Sequence, residues 1–502
     1  MEVVRFSSEC SSKGAACSRP IVFAKRRVPW AAALFVVTLA MTVTATGVTQ
    51  AIQPPQVLTR VFFVDRQTQV VKWAELLAGE RPQMTAVKSI AGFPTLDPTQ
   101  QEIIGLEVSA GMLLVAVSAR EPAAARGWLL VECGAYEEAH GDHSHWIYPI
   151  APRVRAMSMD TKQQNPTRLL QQAGAFFWTY QGGGFARFDP NNIASNATAD
   201  SLLRRVAVHA GGDGAALAAI ANVVAFAGGT GMEGGNAGRV DVTLLKAAGN
   251  DKPVTTVKLA AAPVEQMATT YNRVFVSGGG KLEWFAVPSR IAADASQYPV
   301  QAVADDGSPM EGGAATNGPL GPMSVYGRYV AFCQGTGSTA AFCSIDAAVA
   351  SPRVRRVSLN ATADARPGRF ELMRNRRGQP LALVFLEAPA AAGNGAGNAA
   401  VNTAPNATGK SSDRLAILEL DPNRDGDWAD AKLAATVAVG NHAENANHVL
   451  SVDADQRRAV YSNPGDGTVM IFSLDDRQTI NGFKVGGQPT EVRAVGGRVS
   501  NH

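Results

Sequence analysis

Seven histidines occur in the 502 residues, and three of them, His140, His143 and His145, fall inside "EEAHGDHSHW". Zinc sites use three or four nitrogen, sulfur or carboxylate ligands, and imidazole suits zinc, or less aptly here copper, better than calcium. In an extended segment His143 and His145 project to the same side, and Gly141 permits a turn that brings His140 back toward them. Asp142 or Glu138 then serves as a fourth ligand or as a hydrogen-bonding partner of a ligating ring. The competing reading is a solvated polar loop.

The other histidines are spread along the chain. His209 lies in "RRVAVHAGGDGAALAAI", His442 and His448 in "TVAVGNHAENANHVLSV", and His502 is the last residue. Whether any of them can meet the histidine-rich loop depends on the elements that carry them.

Those elements repeat. A short β-branched or aromatic strand, a Gly, Asp or Asn turn and a second strand recur as hairpin signals. They begin at Val61, Met112, Ala175, Val223, Arg273, Tyr329, Leu381 and Ala459. Most are spaced as one four-stranded blade with its connections would be. One long gap contains "EEAHGDHSHW" and the other contains "APAAAGNGAGNAAVNTAPNATGKSSD". The pattern predicts an all-β chain, an eight-bladed β-propeller with seven blades as the alternative. "PTEVRAVGG" reads as an innermost strand with no hairpin after it. The first hairpin follows Pro54 and Pro55, which disfavour a strand. The C-terminal strand is therefore expected to join the first blade and close the ring.

In such a ring His209 and His442 fall in links between one blade and the next, and His448 begins an innermost strand, so all three are expected on one face near the axis. The loop with His140, Asp142, His143 and His145 follows the third strand of the second blade, on the opposite face. One shared site, with the long loop folding back, and two separate sites are both open at this point.

The ends and the composition narrow the function. Arg5, Lys13, Arg19 and Lys25-Arg26-Arg27 precede the apolar "WAAALFVVTLAMTV", and "VTQA" ends at Ala51. Residues 1–51 are thus expected to be a signal peptide or an N-terminal membrane anchor, with residues 52–502 a single exported propeller domain. Six of the 46 Lys and Arg and two of the 43 Asp and Glu lie in that leader. The remainder is close to neutral and has no basic cluster, which excludes a nucleic-acid surface. Ala388 to Asp413, poor in large apolar residues, is expected to be a flexible insert. Cys333 and Cys343 flank a turn and read equally as a disulfide or as two buried thiols.

Two resemblances follow from these stretches. "AVYSNPGDGTVMIFSLDDRQTINGFKVGGQPTEV" resembles a YVTN-type propeller repeat. The "HGDHSH" loop, with His448 in "NHVLSVDADQRRAVYSNPGDGTV", resembles the periplasmic zinc metallochaperones of the AztD type. That resemblance implies zinc as cargo, His140, His143, His145 and His448 as ligands with His209, His442 and Asp142 as further candidates, and transfer to the solute-binding protein of an ABC transporter. It also implies a periplasmic or secreted monomer rather than an enzyme. The alternatives from other classes are a propeller enzyme, either a metal-dependent hydrolase or a quinoprotein-like one, and a protein-interaction scaffold.

Overall fold

The computed structural model describes residues 56–497 except 79–81, 141–142, 192, 210–216, 221–222, 228–240, 247–252, 262–263, 289–290, 306–320, 363, 390–412 and 454–456, and residues 139, 140, 143, 144, 220, 241, 243, 245, 246, 253 and 305 by backbone alone. The N-terminal leader and nearly all of the expected insert therefore lie outside the described residues. No helix among the described residues is long and apolar enough to cross a membrane.

The chain is an all-β propeller. Its described strands form eight sheets of four or five strands in chain order, and one two-stranded ribbon. The hairpin signals mark the second strands closely. Met112, Ala175, Val223, Arg273 and Tyr329 are the first residues of such strands, and Leu381 and Ala459 lie one residue inside theirs. The reason is burial on both faces: Met112–Ala119, Ala175–Tyr180 and Pro380–Glu387 are almost continuously buried, which demands the unbroken apolar runs visible in the sequence.

Apolar clusters fill the spaces between successive sheets. Trp128 of the second sheet packs on Trp178 of the third at 5.5 Å between ring centroids, and the buried Trp178 indole donates to the Tyr180 hydroxyl at 2.8 Å. Phe177, Phe185 and Phe226 join the third sheet to the fourth. Cys333 and Cys343 are both free and buried. Their strands pair Phe332 with Cys343 and Cys333 with Phe342. The two thiols thus stand on adjacent rungs and pack into different clusters, so the hairpin holds no disulfide.

Ring closure follows the expected route. Pro489–Val495 pairs antiparallel with Val57–Asp65 of the first sheet, with Pro489 opposite Asp65 and Val495 opposite Arg60. The Thr59 hydroxyl donates to the Val495 carbonyl at 2.9 Å. The same strand touches the eighth sheet, where the Ala494 amide donates to Ser451 Oγ at 2.9 Å.

Candidate metal centre

The first site candidate is a hairpin that stands apart from the sheets. Tyr136–His140 pairs with His143–Ile147, and the register sets His140 opposite His143 and Glu138 opposite His145. The three histidine positions thus occupy two rungs of the ribbon, with the Ala139–Ser144 rung between them. Gly141 and Asp142, between the two strands, lie outside the described residues. His145 is half-buried.

The base of this hairpin is held by a buried cation. Arg60, in the first strand, donates through Nη1 to the carbonyls of Cys133, Gly134 and Ile150 at 2.9, 2.8 and 2.6 Å. These carbonyls belong to both legs of the excursion. Glu75 balances the charge at 2.9 Å, and the guanidinium lies over the rings of Trp73 and Tyr148 at 5.1 and 5.3 Å. A Cβ at Gly134 would collide with the Ile150 carbonyl and the Arg60 guanidinium, and its φ is +63°, so only glycine fits there.

The second candidate assembles around a residue that the sequence reading treated as the end of the insert. Asp413 is buried, just before the strand Arg414–Glu419. Its Oδ2 lies 2.7 Å from His442 Nδ1 and 3.0 Å from His448 Nε2. The backbone amides of His442 and Ala388 donate to the same carboxylate at 2.8 and 2.9 Å. Burial alone would raise the Asp413 carboxyl, but hydrogen bonds from His448 and His442 outweigh it and hold the group well below the ordinary range. Asp413, His442 and His448 offer ligand atoms that all lie within 4.8 Å of one another.

The surroundings orient this group. His448 is fully buried, its ring stacks on Phe385 at 4.7 Å, and its Nδ1 faces the Ser462 carbonyl at 2.8 Å. A carbonyl only accepts, so this contact fixes a proton on Nδ1 and turns Nε2 toward Asp413. That is the arrangement that prepares an imidazole for a cation. Glu387, also buried, accepts the His448 amide at 3.2 Å. Burial lifts its carboxyl above the ordinary range, and His448 and His442 offset this only in part.

Strand order separates the two candidates. Arg66, just past the Asp65 end of the first strand, donates to the Asn445 carbonyl in the segment between His442 and His448. Arg60, toward the other end, holds the hairpin's base. Six residue steps separate them, or roughly 20 Å at about 3.3 Å each. The hairpin and the Asp413 group therefore flank opposite faces of the ring.

His209 departs from the expectation. It ends the outermost strand of the third sheet, Ala207–His209, not an axial link. It is buried and its ring stacks on Phe185 at 4.7 Å, which is a packing position. His448 also differs slightly, since it precedes the innermost strand, Leu450–Val452, instead of beginning it. His502 lies outside the described residues. Asp413 and Glu387 were missed because they bracket a low-complexity run. The available signal was a single acidic residue at each inner end of two apolar strands, "PLALVFLE" and "DRLAILEL".

Fold and site together define a β-propeller with a buried His-His-Asp group on one face. No family model matches the sequence, and neither does any curated protein. Among solved structures the chain is similar to AztD from Citrobacter koseri. The apo structure has 12% identity and TM-score 0.53, covering 89% of this chain and 100% of that one. A second crystal structure of the same protein gives 12% identity and TM-score 0.54 with the same coverage. Dihydro-heme d1 dehydrogenase NirN, in complex with DHE, is similar at 13% identity and TM-score 0.50 over 88% of this chain and 76% of that one. At these identities the likeness is one of fold.

Proposed function

We propose that this chain is an extracytoplasmic zinc-binding protein that carries the ion as cargo. The observation that supports the reading is the Asp413, His442 and His448 group. Two imidazole nitrogens and one carboxylate oxygen are a zinc donor set, and three protein ligands leave a fourth position open. A closed four-ligand site would suit a structural ion; an open one suits an ion that must leave again. The fold likeness to AztD agrees with a metal carrier. Zinc would take the place of the proton between His448 Nε2 and Asp413, so loading releases protons and favours neutral or higher pH.

The hairpin with His140, Asp142, His143 and His145 is read as a second, separate acquisition site on the opposite face. His209 is kept as the weakest of the ligand candidates. The recipient in this reading is the solute-binding protein of a metal ABC transporter, the carrier is a monomer, and residues 1–51 direct export. We also read the ring as eight-bladed, on the strength of eight sheets in chain order; seven blades is the alternative. A zinc hydrolase is the second functional reading, favoured by one observation, the buried Glu387 carboxyl next to His448.

Metal analysis of the full chain, purified without a histidine tag, tests the proposal. Bound zinc that is lost in the Asp413→Ala variant is expected. Zinc-free protein that also fails to take up added zinc would overturn it, and zinc-dependent ester hydrolysis that fails in Glu387→Gln would move the reading to the enzyme.

A further inference from the structure

A recess between the second and third sheets occupies the same kind of niche as the His-His-Asp group. It encloses about 520 Å³, within the size range of small-molecule sites. The end of Met112–Ala119, the start of Arg126–Glu132 and the link from Arg153–Asp160 to Pro166–Gln172 form its walls. Asp413, His442 and His448 stand at the corresponding points of another sheet pair: the start of a third strand, and the link from a fourth strand to the next sheet.

The two niches carry opposite charge. Where one presents Asp413 the other presents Arg126, and no acidic side chain lines it. Half-buried Arg126 donates through Nε to the Gln163 carbonyl at 2.6 Å and through Nη1 to the Pro122 carbonyl at 2.9 Å. These carbonyls hold the guanidinium without neutralising it, and Nη2 has no partner among the described residues. Lys162, on the same wall, donates only its backbone amide, to Asp160. Asp160 accepts from the amides of Lys162 and Gln163 and forms no ion pair with either cation among the described residues. A third cation, Arg120, is already balanced by Glu102 at 3.2 Å.

We propose that this recess binds a phosphate group between Arg126 and Lys162. Such a group offers three strong acceptor oxygens and roughly two negative charges at neutral pH, which suits two cations that no acid balances. The Arg126 fork is already held in place, so little side-chain freedom is lost when it meets a ligand. The site is independent of the zinc reading, because neither cation belongs to the His-His-Asp group or to the hairpin.

Neighbouring contacts hold the walls in register. Asn165 Oδ1 accepts from the Ala119 amide at 2.7 Å and from Ser118 Oγ at 3.0 Å, and its Nδ2 donates to the Ala119 carbonyl at 3.0 Å. The Gln181 amide donates to the Asn165 carbonyl at 2.8 Å, which ties in a turn of the third sheet. Gln164 and Gln181 also line the recess. Their amides suit the hydroxyls of a phosphorylated sugar, whereas free phosphate would leave them to water. Both sources present the same anion to the two cations.

Titration of the full, metal-free chain with inorganic phosphate and with glucose 6-phosphate by isothermal calorimetry, at fixed ionic strength, tests this. One saturable equivalent is expected, weakened about tenfold or more by Arg126→Gln and by Lys162→Gln, as loss of a charge-assisted contact implies. Lys162 is exposed, so its variant should keep the fold, and Asp413→Ala should leave the binding unchanged. Tighter binding of the ester would assign a sugar phosphate, equal or weaker binding would assign phosphate itself, and either result supports the site. No saturable heat with either ligand, equal competition by chloride, loss of binding in Asp413→Ala, or unchanged affinity in a folded Lys162→Gln protein would each overturn the proposal.

Discussion

Asp413 Oδ2 lies 3.0 Å from His448 Nε2, joining two residues from different sheets across a buried contact. Neither is solvated, so each relies on protein groups for its polar contacts, and His448 is one of four that meet the Asp413 carboxylate. His448→Ala should therefore remove the zinc held by this group and also destabilise the fold by about 2–4 kcal/mol, since it empties a buried volume and takes one hydrogen-bond partner from a buried carboxylate. His442→Ala should remove zinc at a smaller stability loss. Metal content together with urea denaturation measures both, and equal stability losses would contradict the assignment of His448 as the buried member.

Separation by the length of a strand predicts additive loading. His143→Ala with His145→Ala should remove the hairpin's zinc and leave the equivalent that depends on His448. Zinc titration of the two variants distinguishes this from a shared site, in which either change would abolish the same equivalent.

The Asp413 carboxyl is held below its ordinary range. A depressed acid contributes stability that is fully present above the unfolded-state pKa, about 3.9, and is lost as pH falls below it. Metal-free protein should lose stability on acidification below about pH 4 more steeply than Asp413→Asn, which lacks this group. Thermal melts across pH 3–6 give the comparison, and parallel curves would count against the ion-paired carboxylate.

Arg60→Met should cost about 3–5 kcal/mol, because Glu75, in a mostly buried place, keeps only the longer contact to Lys88 at 3.8 Å and three carbonyls lose their donor. The hairpin's zinc should weaken as well, while zinc at the Asp413 group stays. Chemical denaturation and zinc titration report the two effects separately.

Deleting residues 390–412 while keeping Asp413 should leave the melting temperature within a few degrees and zinc binding intact. Extending the deletion through Asp413 should abolish zinc binding at the His442 and His448 group. A large stability loss in the shorter deletion would show that the segment packs.

Much of the ring is local and therefore written in the chain. Strands buried on both faces must be largely apolar, as "MLLVAVSA" is, so seven of the eight expected starts fall within a residue of a strand's first residue, while Val61 lies four residues inside Val57–Asp65. The closing strand was legible for the same reason: an apolar-alternating segment with no hairpin after it has to find an edge elsewhere.

Contacts across the ring are a different matter. Nothing in "KSSDRLAI" distinguishes Asp413 from any solvated acid; 35 residues and a change of sheet separate it from His448. Cys333 and Cys343 look paired at the two ends of a turn, yet a shift of one rung sends them into different cores. His209 looks like His442 in sequence, and only the edge strand it ends makes it a packing residue. The sequence by itself determined the strands, the turns and the route of closure, because these depend on neighbours one to a few residues away. Only the tertiary structure decided which acid meets which histidine, because that depends on where the ends of distant strands converge, and side-chain identity carries no record of it.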